Sequence, residues 1–234
     1  MQYVLVNGSP RGEDSTTLMI ARTFLEGTGA TDIVEIDLSK HPIQPCRGCM
    51  ACWKTHGDCV IKDDMRDLWM RIFHTGDPLT IVWSFPLYVF GMPSNLKAFF
   101  DRRFSFTEAS QVENGTGGPT HPIRSDLTIP TTRNILISSC GFYTVKQNYE
   151  GLVEQFKHAV AEPDYERILL PMAGAVAYMK GVPILDKYFA LLRQAGSEYA
   201  QTGAFSEATR AQLAQPLMPE EQYLGFVNKW AASL

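Results

Sequence analysis

Short apolar runs alternate along the chain with longer stretches whose apolar positions recur three and four residues apart. Tyr3 to Val6 is a compact apolar run closed by Asn7-Gly8-Ser9-Pro10, which predicts a buried strand. From about Ser15, Leu18, Ala21, Phe24 and Leu25 share one face of a predicted helix, with Gly27 and Gly29 as its stop. Ile33 to Leu38 predicts a second strand. After Asp63-Asp64, expected caps, Met65, Leu68, Trp69, Ile72 and Phe73 fall at helical spacing. Leu79 to Ser84 predicts a third strand, and a helix beyond it carries Leu96, Phe99 and Phe100 inward. Further strands are expected over Asn134 to Ser139 and Arg167 to Pro171, with helices over Tyr149 to Val160 and Ile184 to Tyr199. Pro216 and Pro219 precede Tyr223, Val227 and Trp230, which predict a last amphipathic helix docked on an apolar surface.

Strands alternating with helices predict an α/β fold with a parallel sheet. Five such strands fit a flavodoxin-like, doubly wound sheet of order 2-1-3-4-5 with helices on both faces. In that arrangement ligands bind beyond the carboxyl ends of the strands, at the switch point between the first and third. We expect the main domain over 1–203, carrying a cysteine-rich loop at 41–62 and an insertion at 105–133, and a helical C-terminal extension over 204–234. The insertion is polar and rich in Gly, Thr and Pro, and an excursion of that length is commonly functional or packs on a partner subunit.

Composition narrows the function. With 234 residues, 45% hydrophobic and 20% charged, the chain can bury a substantial core, and disorder is not expected. Its 21 basic and 25 acidic residues give net charge -4 with no basic cluster, so a nucleic-acid partner is not expected. The longest apolar stretches, near Ile81 to Phe90 and Ile168 to Tyr178, are too short and too broken by proline and glycine to span a bilayer. The N-terminal residues lack the basic start and apolar core of a signal peptide, and a cytoplasmic location is expected. There, clustered cysteines act more readily as ligands or redox groups than as structural disulfides.

Cys46, Cys49, Cys52 and Cys59 form such a cluster, spaced C-x2-C-x2-C-x6-C. Three thiolates at intervals of three residues suit a cubane iron–sulfur cluster better than a lone zinc, whose ligands more often come as two separated pairs. A redox-active thiol set and small residues of a tight loop are the other readings. His56 is a possible fifth ligand, although a histidine in a polar loop is more often simply solvated. Three strand-end loops carry further chemistry. Gly8 to Thr17 places hydroxyls and Arg11 at a helix N-terminus, which suits a single terminal phosphate; the alternative is a capped turn. Pro86 to Met92 is apolar and aromatic where such loops are usually polar, a bed for a flat ring, although Leu87, Val89 and Phe90 could instead serve the core or an oligomer interface. Ser138 to Tyr143 has small residues that allow close approach of a ligand. Cys140 within it could be the nucleophile of a thiol hydrolase, but no histidine is placed by sequence to activate it, and a small buried cysteine is the better reading.

Together these residues resemble a known family. Gly8-Ser9-Pro10-Arg11 with Ser15-Thr16, Pro86-Leu87-Tyr88 with Gly91-Met92-Pro93, and Ser139-Cys140-Gly141-Phe142 are similar, in order and spacing over roughly the first 160 residues, to NAD(P)H-dependent FMN reductases of the flavodoxin-like proteins. The cysteine run resembles the compact motif of the iron–sulfur flavoproteins. The resemblance implies that Ser9, Arg11, Ser15, Thr16 and Thr17 hold the FMN phosphate. It further implies that Pro86, Leu87, Tyr88, Phe90, Gly91 and Met92 contact the isoalloxazine, with Cys140, Gly141 and Phe142 closing the other side. Cys46, Cys49, Cys52 and Cys59 would ligate a [4Fe-4S] cluster. The implied activity is an oxidoreductase fed by NAD(P)H or a redox partner protein and passing electrons to a small-molecule acceptor, assembled as a homodimer or homotetramer. A zinc-stabilised binding module without redox activity stays open beside it.

Overall fold

A computed structural model describes all residues except Met1, Thr116, Pro163, Ala177 and Lys180. Strands β1 (Gln2–Asn7), β2 (Ile33–Asp37) and β3 (Leu79–Pro86) join two later strands, β6 (Thr132–Ser139) and β7 (Glu166–Leu170), in one sheet. All four pairings are parallel and the order is β2-β1-β3-β6-β7, the expected 2-1-3-4-5. Two-residue strands β4 (Val112–Glu113) and β5 (Pro119–Thr120) form an antiparallel hairpin inside the insertion.

Alternation along the strands splits the core in two. Tyr3, Leu5, Val82, Ile135 and Ile137 face one way, packed under α1 (Thr16–Thr28) and α7 (Pro183–Thr202). Val4, Val6, Ile81, Trp83 and Leu136 face the other, under α3 (Met65–Phe73), α4 (Ser94–Asp101) and α5 (Glu150–Val160). Strands buried on both faces read as continuous apolar runs, as β1 and β3 do.

Helix α1 stops at Gly29, whose φ of 71° is the left-handed C-cap. Gly27 lies within the helix and has a different task. A Cβ there would sit 2.0 Å from the Arg193 carbonyl, and one on Gly196 of α7 would sit 2.0 Å from the Phe24 carbonyl, so the two helices touch backbone to backbone. Asp64 makes no capping bond to α3; its carboxylate accepts from or pairs with His41 instead, while Asp63 accepts from the Met65 N–H. The last 31 residues hold α8 (Glu207–Leu213) and α9 (Glu220–Ala231), and Leu213, Leu217 and Tyr223 join the same core as α1 and α7. Trp230, expected on the docked face, is 51% exposed. No helix among the described residues is long and apolar enough to cross a membrane.

Candidate functional site

Three loops leave the carboxyl ends of β1, β3 and β6 side by side, tied to one another by backbone bonds. The Gly8 N–H donates to Ser84 and the Leu87 N–H to Ser139. In the first loop Ser9, Ser15 and Thr17 are buried, and much of their polarity serves the loop itself. The Ser9 hydroxyl accepts from the Arg11 N–H, the Ser15 hydroxyl accepts from the Leu18 N–H at 3.3 Å, and Thr17 bonds the Ser139 hydroxyl at 2.6 Å. Asn7 braces the turn by donating to the Gly12 carbonyl and to Asp37 at the end of β2. What the turn leaves over is specific. The first N–H groups of α1 have no intrahelical acceptor, and among the described residues neither the Thr16 hydroxyl nor the Arg11 guanidinium has a hydrogen-bond or ion-pair partner. The capped-turn reading therefore accounts for Ser9 and Ser15, and leaves Arg11 and Thr16 available.

The second loop is a tight reversal. Tyr88 and Gly91 exchange backbone hydrogen bonds, and Val89 and Phe90 between them sit at φ of 46° and 61°. A β-branched residue in the left-handed region is strained, which is the kind of backbone that functional loops retain. Tyr88 and Phe90 are about half exposed, and Val89 is open to solvent. Leu87 and Met92 belong to the core beneath, while Pro86 and Gly91 are half-buried. In the third loop Phe142, also half exposed, stacks on Phe90 with the rings 11° from parallel. Gly141 meets nothing that a Cβ would strike, so packing within the chain does not demand its small size. Cys140 is buried against Tyr149, and burial pushes its thiol up, with bonds from Phe142 and Tyr149 only partly opposing this. Among the described residues it bonds only Phe142 and Tyr149, neither of which would activate it as a nucleophile.

The four cysteines of the ladder line one cleft with Arg47, Met50, Ile61, Arg102 and Phe104. Their loop contains one short helix, α2 (Ala51–Lys54), and is bent by positive φ at Gly48, Met50, His56 and Gly57. Cys46 and Cys49 are exposed, Cys52 and Cys59 half-buried. Burial, then the neighbouring Cys59, raises the Cys52 thiol. His56 is exposed and does not line the cleft. Among the described residues no three His, Cys, Asp or Glu side chains stand close enough to hold one metal ion. The thiols thus share a cavity without converging on a single point. The insertion walls the cleft from behind: Trp53 of α2 packs on Phe104 and His121 and donates to Thr107, and Gly57 lies against Arg124.

The family model described as flavodoxin-like fold matches residues 1–121. The chain belongs to the flavodoxin-like fold family. Within it, the chain is 31% identical over 120 residues to an iron-sulfur flavoprotein of Methanocaldococcus jannaschii, covering 50% of this chain and 60% of that protein. It is 28% identical over 103 residues to an iron-sulfur flavoprotein of Methanosarcina thermophila, covering 44% and 52%. The matched parts therefore span little more than half the length of these relatives. Among solved structures, an FMN-dependent NADH-azoreductase from Bacillus anthracis in complex with FMN superposes with TM-score 0.55 at 17% identity, over 86% of this chain and 100% of that one. An NAD(P)H:quinone oxidoreductase from Methanothermobacter marburgensis does so with TM-score 0.55 at 14% identity, over 86% and 98%. These two likenesses concern the fold.

Several residues of this flavodoxin-like site carry no sequence signal of their own. Arg102 follows an ordinary amphipathic helix, yet its guanidinium ends at Cys59. Tyr223 is 82 residues beyond the third loop, yet its hydroxyl donates to the Gly141 carbonyl at 2.6 Å. Helix α4 links the two regions: the apolar loop precedes its first turn, and Arg102 of the cleft follows its last. Its eight residues span roughly 12 Å.

Proposed function

We propose that the chain is an FMN-dependent oxidoreductase taking electrons from NAD(P)H or an electron carrier, with a [4Fe-4S] cluster in the cysteine cleft. The observation that carries this reading is that the loops beyond the ends of β1, β3 and β6 bring together the start of α1, Arg11, which has no side-chain partner among the described residues, and a strained aromatic loop. Arg11, Thr16 and the first N–H groups of α1 would hold the FMN phosphate, with Ser9, Ser15 and Thr17 keeping that turn in shape. Tyr88, Phe90, Gly91 and Phe142 would bracket the isoalloxazine, Pro86, Leu87 and Met92 would set the loop beneath it, and buried Cys140, its backbone bonded to Leu170 and Ala173, would hold Gly141 in place to offer its N–H. Cys46, Cys49, Cys52 and Cys59 supply the four soft donors that an iron–sulfur cluster takes, in a partly apolar cleft. The names of the two archaeal relatives support both cofactors. FMN supplies two-electron hydride chemistry and a cluster one-electron transfer; the protein supplies position, hydrogen bonds and a water-poor bed. The exposed Tyr88, Val89, Phe90, Phe142 and Tyr143 form an apolar rim that supports assembly as a homodimer or homotetramer. A cytoplasmic site of action and a small-molecule acceptor complete the proposal.

Anaerobic purification, an absorption spectrum and assays of iron, acid-labile sulfide and zinc test it. Flavin bands with about four irons per chain are expected. Failure to bind added FMN would refute the oxidoreductase reading, and zinc without iron would refute the cluster.

A further inference from the structure

Arg102 is 2% exposed and reaches from the end of α4 into the cysteine loop. Nη1 donates to both carboxylate oxygens of Asp63 and to the Gln44 carbonyl at 3.5 Å. Nη2 donates to the Ile61 carbonyl at 3.0 Å and to the Cys59 sulfur at 3.4 Å. Asp63 in turn accepts from the Gln44 N–H at 2.9 Å. Gln44 lies two residues before the first cysteine of the ladder and Ile61 two after the last, so one guanidinium pins both ends of the loop. The Nε of Arg102 is buried and has no partner among the described residues. Burying a cation with one donor unmet is costly, and an apolar residue could close a loop without that cost.

We infer that Arg102 is a positioning residue of the cysteine cleft, which closes the loop on itself and sets the reduction potential of a bound cluster through its hydrogen bond to the Cys59 sulfur. The inference rests on the cluster reading above. Reduction adds negative charge to a cluster and its ligand sulfurs. A cationic donor on one sulfur stabilises the reduced form and raises the potential. Asp63 acts with the opposite sign, because its carboxylate offsets part of the guanidinium charge.

The test compares anaerobically assembled wild type, Arg102→Gln and Asp63→Asn. Iron, sulfide and FMN are assayed, and the midpoint potential is taken from a redox titration followed by electron paramagnetic resonance. Arg102→Gln is expected to lower the potential and Asp63→Asn to raise it, with FMN content unchanged. An Arg102→Gln protein that keeps FMN but holds no iron supports the loop-closing role. Equal potentials in all three proteins overturn the inference and leave the cluster reading intact. A wild type that takes up FMN but no iron or sulfide overturns both. Should Arg102→Gln fail to fold, an unmoved potential in Asp63→Asn overturns the inference alone.

Discussion

Arg11 and Arg102 show how differently one residue type is used at two ends of the same region. Arg11 is exposed and makes no side-chain bond among the described residues, so its charge is available to a ligand; Arg102 is buried and spends its donors on the protein. Arg11→Ala is expected to weaken FMN binding by roughly ten- to a hundredfold, the value of about 1.5–3 kcal/mol for hydrogen bonds to a charged group. Fluorescence titration of the apoprotein reads this directly, and an unchanged affinity would show that the phosphate lies elsewhere. Asp63 shows how a residue at a helix start can carry a second role. It reads as a helix cap. In the fold, burial raises its carboxyl, and the opposing bonds from Arg102, Gln44 and Met65 outweigh that and hold it below the usual range.

At the scale of elements, contacts between helices decide what single residues tolerate. Gly27 and Gly196 let α1 and α7 meet without side chains between them. Gly27→Ala would force the helices apart, and overpacking of this kind costs about 1–3 kcal/mol. A lowered urea midpoint is the expected result. Where α7 meets α8, Glu198 accepts hydrogen bonds from Gln194, the Ser206 N–H and Thr209, which hold its carboxyl down to about 2. A carboxyl depressed on folding stabilises the native state fully above its unfolded pKa of about 4.3. That contribution fades as pH falls toward 2. Glu198→Gln should therefore melt below wild type at pH 6 and approach it near pH 2, and a pH-independent gap between the two melting curves would refute the assignment.

Over the whole molecule, residues 204–234 are coupled to the third loop through Tyr223, which is buried in the α1 and α7 core and donates to Gly141. Tyr223→Phe removes that one bond, worth about 1 kcal/mol, and keeps the ring. It should loosen FMN severalfold in the same fluorescence titration while the apoprotein melts within a few degrees of wild type; equal affinity would mean the extension only covers core. The strand order, the layers and the three loops were legible because buried parallel strands are nearly continuous apolar runs, and because strand ends announce themselves with Gly, Pro, Ser and Asn. The cysteine ladder was legible because its residues are neighbours in sequence. Local pattern carries local information, and so it also assigned Asp64 to a cap, Gly27 to a helix stop and Trp230 to a buried face, each of which the packing reassigned. Only the tertiary structure could bring Arg102 to Cys59 across 43 residues, Tyr223 to Gly141 across 82, and the insertion's His121 to Trp53. Such pairs leave no period or spacing in the chain, since their geometry exists only once the helices have been placed on the sheet.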